Sequence, residues 1–275
     1  MDPYSKTIHF LSGMPRSGST ILGNILAQNP RFHVTATHGL LMLLSMIREA
    51  YEGIPEYRAA PNEKELTGIL RGATFGSFEQ VDCPVIINRH RSWPIELEMI
   101  EAILGRKAKL IMCVRDVPEI LASLEKLWRD NMSLRPMSDC TQGNPVPFRT
   151  LEGRCREWLD PDHVVGRAYA AMQDALVRGY RDRMHFVHFD ELTRNPTETL
   201  QGIYKFLGEE SFSHDFEHVE QVTVEDDMAH GVKGLHDIRP AVRPVGKRAK
   251  EMLGPLAEKF RGPYVWDGYL SGLGS

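Results

Sequence analysis

The chain has 275 residues, of which 42% are hydrophobic and 25% are charged, and its formal net charge is −4 at pH 7. This length allows one large domain or two small ones, and the composition excludes a chain that is disordered throughout. The weakly negative charge gives no general reason to expect nucleic-acid binding. Any binding site for an anion must therefore be built locally.

Hydrophobic periodicity predicts alternating strands and helices along the chain. We predict strands at residues 7–13, 83–90, 108–116 and 184–190. We predict helices at residues 19–28, 39–51, 62–73, 93–105, 117–128, 162–180, 195–208 and 247–260. This alternation is typical of an α/β fold with a central parallel sheet and helices on both faces. No linker divides the sequence, so we expect one domain over residues 1–275, with an irregular lid or binding segment at about 129–161.

The sequence carries no signal for export or for a membrane. No basic segment followed by a long hydrophobic one opens the chain, and no window approaches the ~18 uncharged hydrophobic residues of a membrane span. The four cysteines lack CxxC spacing, which argues against a zinc site or a disulfide framework. We therefore expect a reduced cytoplasmic protein with no metal and no membrane or nucleic-acid partner.

The segment GMPRSGST, residues 13–20, lies between the first predicted strand and the first predicted helix. Unpaired backbone N–H groups and the helix dipole favour an anion at such a turn, and hydroxyl side chains and Arg16 add donors for phosphate oxygens. A nucleoside triphosphatase would have lysine at the position of Ser19. The loop therefore predicts phosphate binding without the usual lysine contact to a γ-phosphate. A structural turn without a ligand is the alternative interpretation.

Arg115 and Ser123 form a second candidate phosphate site. Arg115 ends the third predicted strand, and Ser123 lies two turns into the next helix. Ligands of open α/β sheets bind outside the carboxyl ends of the strands, so we expect Arg16 and Arg115 at the same edge. The alternative is that Arg115 and Asp116 form a salt-bridged helix cap. Two separate phosphate sites indicate a ligand with two phosphate-bearing ends.

Together the two motifs resemble the sulfotransferases that use 3′-phosphoadenosine 5′-phosphosulfate (PAPS), and the similarity is greatest to a bacterial group. The resemblance covers residues 8–245 approximately. It implies that the loop binds the 5′-phosphosulfate, that Arg115 and Ser123 bind the 3′-phosphate, and that no metal is needed. The loop residues concerned are Arg16, Ser17, Gly18, Ser19 and Thr20.

The resemblance also suggests residues outside the two motifs. Phe189 stands where cytosolic members have a tyrosine close to the adenine, which retains a ring without a hydroxyl. The stretch GVKGLHDIR is the counterpart of an Arg-Lys-Gly motif that holds the 3′-phosphate. Its corresponding residues are Lys233, Gly234 and Arg239.

Sulfuryl transfer needs positive donors over the transferring group and a base for the acceptor proton. Arg16 is suited to stabilise the leaving 5′-phosphate. His90 lies where cytosolic sulfotransferases have a Lys-x-His motif, with an arginine on either side in place of the lysine. His38 is the alternative base, because other sulfotransferases place an acidic base shortly after the first helix. His33, close to His38, is interpreted as a turn residue.

The sequence thus predicts an enzyme that moves a sulfuryl group from PAPS to a hydroxyl, or alternatively an amine, of a small molecule. The product of the donor would be adenosine 3′,5′-bisphosphate (PAP). A natural product, a lipid head group or a phenol would serve as acceptor, in a pocket shaped by residues 39–47 and 129–161. The competing hypotheses are a P-loop kinase or nucleotide hydrolase, and a non-catalytic nucleotide-binding protein with the same fold.

Overall fold

The computed structural model describes residues 3–131 and 146–270. Five strands of these residues form one sheet in the order β2-β3-β1-β4-β5, and every neighbouring pair is parallel. The strands are β1 (Thr7–Gly13), β2 (Phe32–Thr37), β3 (Val85–Arg89), β4 (Leu110–Val114) and β5 (Met184–His188). The predicted α/β fold with a central parallel sheet is confirmed.

Helices connect the strands and cover the sheet. They are α1 (Ser19–Leu26), α2 (Leu40–Gly53), α3 (Pro55–Ala59), α4 (Glu63–Gly76), α5 (Leu97–Leu104), α6 (Val117–Asp130), α7 (Leu151–Leu159), α8 (Val164–Val177), α9 (Phe189–Arg194), α10 (Pro196–Leu207), α11 (Ala249–Leu253), α12 (Leu256–Lys259) and α13 (Asp267–Leu270). Across residues 3–131 and 146–270, no helix has the length and hydrophobicity needed to cross a membrane.

The sheet is buried on both faces. Alternate residues of β4 belong to two different hydrophobic clusters, with Met112 in one and Ile111 and Cys113 in the other. Because successive side chains of a strand point to opposite faces, each cluster lies on its own side of the sheet. Helices α2, α4, α5, α6 and α8 contribute to the first cluster, and α1, α9 and α10 contribute to the second. The predicted helices on both faces are confirmed.

The strand β2 is absent from our prediction. The interpretation of His33 as a turn residue is wrong, because His33 lies in β2 and pairs with Ile86 of β3. β2 forms one edge of the sheet, and only Phe32 and Val34 supply large buried hydrophobic side chains. Two hydrophobic residues in alternation are too short a pattern to distinguish a strand from a loop.

The prediction of irregular structure over residues 129–161 is wrong at both ends. Helix α6 continues to Asp130, and α7 covers Leu151–Leu159. The N-terminus of α7 is capped by Thr150, whose hydroxyl oxygen accepts a hydrogen bond from Gly153 N at 3.0 Å. A polar helix with few buried side chains gives little hydrophobic periodicity, which explains the error. Residues 132–145, the middle of this segment, lie outside the described part of the chain.

Candidate functional site

A cavity of about 790 Å³ opens beyond the carboxyl ends of β1, β3 and β4. This is the edge at which open parallel sheets bind their ligands. The predicted site residues that line it are Arg16, Gly18, Ser19, Thr20, His90, Arg115, Ser123, Gly234 and Arg239. Ser17, His38 and Lys233 are not among its lining residues in the described part of the chain.

Two glycines give the phosphate loop its shape. Gly13 has φ 128°, and a Cβ there would lie 2.1 Å from the carbonyl oxygen of Cys113. Gly18 has φ 92° at the start of α1, and a Cβ there would lie 2.7 Å from Phe189 Cδ2. Side chains are therefore excluded at both positions by backbone conformation and by close neighbours. Arg16 also has a positive φ, 56°, which is unusual for a residue other than glycine.

Ser17 holds the loop from inside. Its side chain is buried, and its hydroxyl bonds to the carbonyl oxygens of Met14 and, at 3.0 Å, Cys113. A hydroxyl has one proton to donate. The expectation that the Ser17 hydroxyl donates to a ligand is therefore corrected, since its proton is used within the protein.

The two phosphate motifs are in direct contact. Arg16 Nε donates to Ser123 Oγ at 3.1 Å, and the Arg16 guanidinium also bonds to the carbonyl oxygen of Leu235. Arg115 donates to the carbonyl oxygen of Arg16 at 3.2 Å. Burial, and then the nearby charge of Arg115, lowers the pKa of Arg16. Two guanidinium groups are thus held close together, an arrangement that an anion would stabilise.

Arg115 packs on an aromatic ring. Its guanidinium carbon lies 4.4 Å from the centre of the Phe189 ring, and its ion pair with Glu119 is long, at 3.8 Å. These contacts, and not one to Asp116, orient Arg115, which argues against the salt-bridged cap. Phe189 lies between Gly18 and Arg115, so the ring expected near an adenine is part of the cavity wall.

The segment carrying Lys233 is fastened to the end of α6. The side-chain amide of Asn131 accepts from Lys233 N at 2.7 Å and donates to Lys233 O at 3.1 Å. Gly234 follows with φ 77°, and Arg239 is exposed at the cavity. The Lys233 side chain is exposed and lies outside the cavity lining, so only two of the three residues of this motif reach it.

The two candidate bases differ in position. His90 lines the cavity, and its Nδ1 accepts a hydrogen bond from Ser92 N at 3.2 Å. Burial, with a smaller contribution from the charge of Arg91, lowers the pKa of His90 to about 4. His90 is therefore neutral at pH 7, the protonation state that a general base requires.

A hydrogen-bond relay fixes the ring of His38. The Trp93 indole can only donate, and its Nε1 lies 3.1 Å from Asn88 Oδ1. Asn88 Nδ2 therefore faces His38 Nδ1, at 3.1 Å, and donates to it. The neutral His38 ring must then carry its proton on Nε2. Both candidate bases thus accept through Nδ1, and they differ in that His90 and not His38 is among the cavity-lining residues of the described chain.

A sequence profile of the Sulfotransferase family matches residues 9–214, well over half of the chain. The chain belongs to this family. The matched residues include the phosphate loop, both candidate bases, and the Arg115 and Ser123 motif. They end before Gly234 and Arg239, so the match does not extend to that part of the cavity wall.

Solved sulfotransferase structures have the same fold. A mouse sulfotransferase complexed with PAP is 16% identical to this chain, with a TM-score of 0.54. The match covers 93% of this chain and 81% of the mouse chain. A sulfotransferase domain from the curacin biosynthetic pathway is 14% identical with a TM-score of 0.50, covering 92% and 97%. Retinol dehydratase in complex with androsterone and PAP is 13% identical with a TM-score of 0.50, covering 94% and 80%. A comparison with curated protein sequences finds no match.

Beside the phosphate loop, this sulfotransferase contains a buried charged network that our sequence reasoning missed. Arg89, at the end of β3, forms an ion pair with Glu225, and both side chains are buried. Glu225 lies 3.5 Å from His236 Nε2, and His236 Nδ1 lies 2.6 Å from Asp227. The acidic run at residues 225–227 is the only signal in the sequence, and such runs usually face solvent.

Within residues 3–131 and 146–270, no group of three or more His, Cys, Asp or Glu side chains is arranged to hold a metal ion.

Proposed function

We propose that this sulfotransferase moves a sulfuryl group from PAPS to a hydroxyl, or alternatively an amine, of a small-molecule acceptor. The observation that carries the proposal is the contact between the two phosphate motifs, through Arg16 Nε and Ser123 Oγ at 3.1 Å. Arg16 and Arg115 are held together at one cavity. A donor with a phosphosulfate at its 5′ end and a phosphate at its 3′ end would supply anions to both.

An unsatisfied donor at the second motif supports binding of an anion there. The Nε atom of Arg115 is buried without a hydrogen-bond partner among the described residues. A buried donor that is left unpaired costs free energy, and a phosphate oxygen would satisfy it. Gly18 also caps the N-terminus of α1, whose first backbone N–H groups are suited to an anion.

The two ends of the donor would be held by different parts of the cavity. Ser19, Thr20 and the backbone N–H groups at the start of α1 are suited to the 5′ end. Arg115 and Ser123 are suited to the 3′-phosphate, together with Gly234 and Arg239. Arg16 lies between the two groups. When bound, PAPS supplies the activated sulfuryl group, and Arg16 would stabilise the charge that develops on the leaving phosphate.

We assign the general base to His90 and not to His38, because His90 lines the cavity. Burial lowers its pKa to about 4, so the free ring is neutral at pH 7, the form in which a base can accept a proton. Nδ1 is the ring nitrogen without a proton, since it accepts from Ser92 N at 3.2 Å. His90 must therefore release this bond, or turn its ring, when it accepts the proton.

The acceptor side of the cavity is lined from two helices. Met42 of α2 is exposed at the cavity, and Leu43 and Met46 beside it are also exposed. Ala168 and Ala171 of α8 line the same cavity with small side chains. These surfaces support an acceptor with a hydrophobic body, such as a phenol or a lipid-like natural product.

The proposal is tested by offering labelled PAPS together with a panel of phenols, alcohols and amines. Transfer of the label to a hydroxyl compound is the expected result. The same panel is offered ATP labelled in its γ-phosphate, with Mg²⁺. Transfer from ATP and none from PAPS would instead favour a kinase and overturn the proposal.

A further inference from the structure

Arg89 contacts the phosphate loop through one hydroxyl. Its NH1 group donates to Thr20 Oγ1 at 3.0 Å, and its NH2 group donates to Thr37 Oγ1 at 3.2 Å. The Arg89 side chain is 6% exposed and that of its partner Glu225 is 9% exposed. The ion pair therefore lies beneath the loop and not in solvent.

The carboxylate of Glu225 is held on both oxygens. Oε1 accepts from the backbone N–H of Thr37 at 3.0 Å, and Oε2 lies 3.5 Å from His236 Nε2. His236 is fixed in turn by Asp227, whose carboxylate accepts from the His236 backbone N–H at 3.1 Å. Glu225 thus has a defined position, and Arg89 is oriented by a group that cannot turn freely.

The contact with Arg89 decides what the Thr20 hydroxyl can do. A guanidinium can only donate, so Thr20 Oγ1 is the acceptor in this bond. The single proton of the hydroxyl remains to be donated elsewhere, and Thr20 lines the cavity. Arg89 therefore presets Thr20 as a donor to an oxygen of a bound anion.

The charges argue against a direct role of Arg89 in attracting the anion. Glu225 neutralises Arg89, so the pair adds little net positive charge to the cavity. A buried pair also costs desolvation free energy, which makes it weak evidence for a role in stability alone. What the pair does supply is a fixed orientation for Thr20.

We propose that Arg89 and Glu225 are positioning residues that hold the Thr20 hydroxyl as a donor to the 5′ end of the nucleotide. This inference rests on the proposed function and adds two residues to the donor site. Glu225 would then have two opposing effects. Its negative charge near the cavity would weaken binding of an anion, whereas its positioning of Arg89 and Thr20 would strengthen binding of the anion.

Isothermal titration calorimetry with PAP and with adenosine 3′-phosphate tests the inference, because only PAP has the 5′ phosphate. We expect Glu225→Gln and Thr20→Val each to weaken PAP binding by roughly tenfold, the loss expected for a hydrogen bond to a charged group. Affinity for adenosine 3′-phosphate should stay unchanged. Glu258→Gln, which removes an exposed ion pair with Arg261 away from the cavity lining, is the matched control and should change neither affinity.

A double-mutant cycle tests whether the pair acts through Thr20. The double variant Arg89→Met with Glu225→Gln removes the pair without leaving a buried charge unpaired. When Thr20→Val is already present, adding this double substitution should cause no further loss of PAP affinity. Circular dichroism checks that each variant is folded.

Three results would overturn the inference. They are tighter PAP binding by Glu225→Gln, equal losses for PAP and adenosine 3′-phosphate, and additive effects of the pair and of Thr20. Each of these leaves the proposed function standing, provided that the unmodified protein binds PAP. Failure of the unmodified protein to bind PAP would overturn the proposed function and this inference together.

Discussion

Arg16 Nε lies 3.1 Å from Ser123 Oγ, so the guanidinium of the phosphate loop touches the hydroxyl that follows Arg115 in the second motif. The two residues are 107 positions apart in the chain. Parallel strands β1 and β4 are neighbours in the sheet, and their carboxyl ends bring the two motifs together. The loop of this sulfotransferase thus obtains its charge from two arginines, without the lysine of nucleoside triphosphatases.

Removal of either arginine should weaken binding of PAP. We expect Arg16→Ala and Arg115→Ala each to raise the dissociation constant by about 10- to 100-fold, because each loses charge-assisted hydrogen bonds to phosphate. Calorimetric titration measures the change, and Arg261→Ala, at an exposed ion pair with Glu258 away from the cavity lining, is the control. Unchanged affinity in both variants would mean that the nucleotide binds elsewhere.

His90 should be needed for turnover but not for nucleotide binding. We expect His90→Ala to lower kcat by roughly 10²- to 10⁴-fold, the usual contribution of a general base, and His38→Ala to have a much smaller effect. Steady-state rates with PAPS and an acceptor from the panel, beside PAP affinities, measure both effects.

His90→Gln distinguishes a base from a donor. The glutamine amide retains a donor near the position of Nε2 but cannot accept the proton. If His90 is the general base, we expect His90→Gln to turn over as slowly as His90→Ala. Substantial activity of the glutamine variant would assign His90 to holding the acceptor, and full activity of both His90 variants would remove it from the mechanism.

Buried histidines should make the fold sensitive to mild acid. Burial lowers the pKa of His90 and of His185 to about 4, below the ordinary value of 6.5. Between pH 6.5 and 4 the unfolded chain therefore binds more protons than the folded protein. The free energy of unfolding should fall as the pH is lowered through this window, by at most ~1.4 kcal/mol per pH unit for each histidine.

Urea denaturation at several pH values measures this dependence. His185 lies in β5, stacks on Phe206 and is outside the cavity lining, so its substitution avoids the site. His185→Gln should reduce the pH dependence of the free energy of unfolding. If the free energy of unfolding depends on pH identically in the variant and in the unmodified protein, the pKa of His185 is not lowered by folding.

Gly18 should be intolerant of a side chain because of Phe189. Both Gly18 and Gly179 have a positive φ, 92° and 84°, but no heavy atom lies within 4 Å of a Cβ built at Gly179. Gly179→Ala should therefore cost only the backbone strain, ~1 kcal/mol in the free energy of unfolding. Gly18→Ala should cost more and should also weaken PAP binding. Equal effects of the two variants would show that the contact with Phe189 is unimportant.

Much of the fold follows from short-range patterns in the sequence. The four predicted strands and the phosphate loop have long hydrophobic runs or characteristic turn residues, and they are present in the structure. β2 and α7 bury few large side chains, so their periodicity is weak. An element could therefore be predicted only where its own residues carry a clear hydrophobic or turn pattern.

The candidate site was predictable only in part, for a different reason. Arg16, Arg115 and His90 lie at strand ends or turns whose place in a parallel sheet is known in advance. The inward direction of the Ser17 hydroxyl and the pairing of Arg89 with Glu225 depend on contacts between distant parts of the chain. No spacing in the sequence encodes such contacts, so they required the structure.

The proposed function requires one cavity to bind the two anionic ends of the same nucleotide. Titration of the unmodified protein with PAP, adenosine 5′-phosphate and adenosine 3′-phosphate tests it most directly. We expect PAP to bind at least about tenfold more tightly than either monophosphate, because only PAP would reach both motifs. Equal affinity for PAP and adenosine 5′-phosphate would contradict this binding mode. Binding of ATP with Mg²⁺ and no binding of PAP would also contradict it.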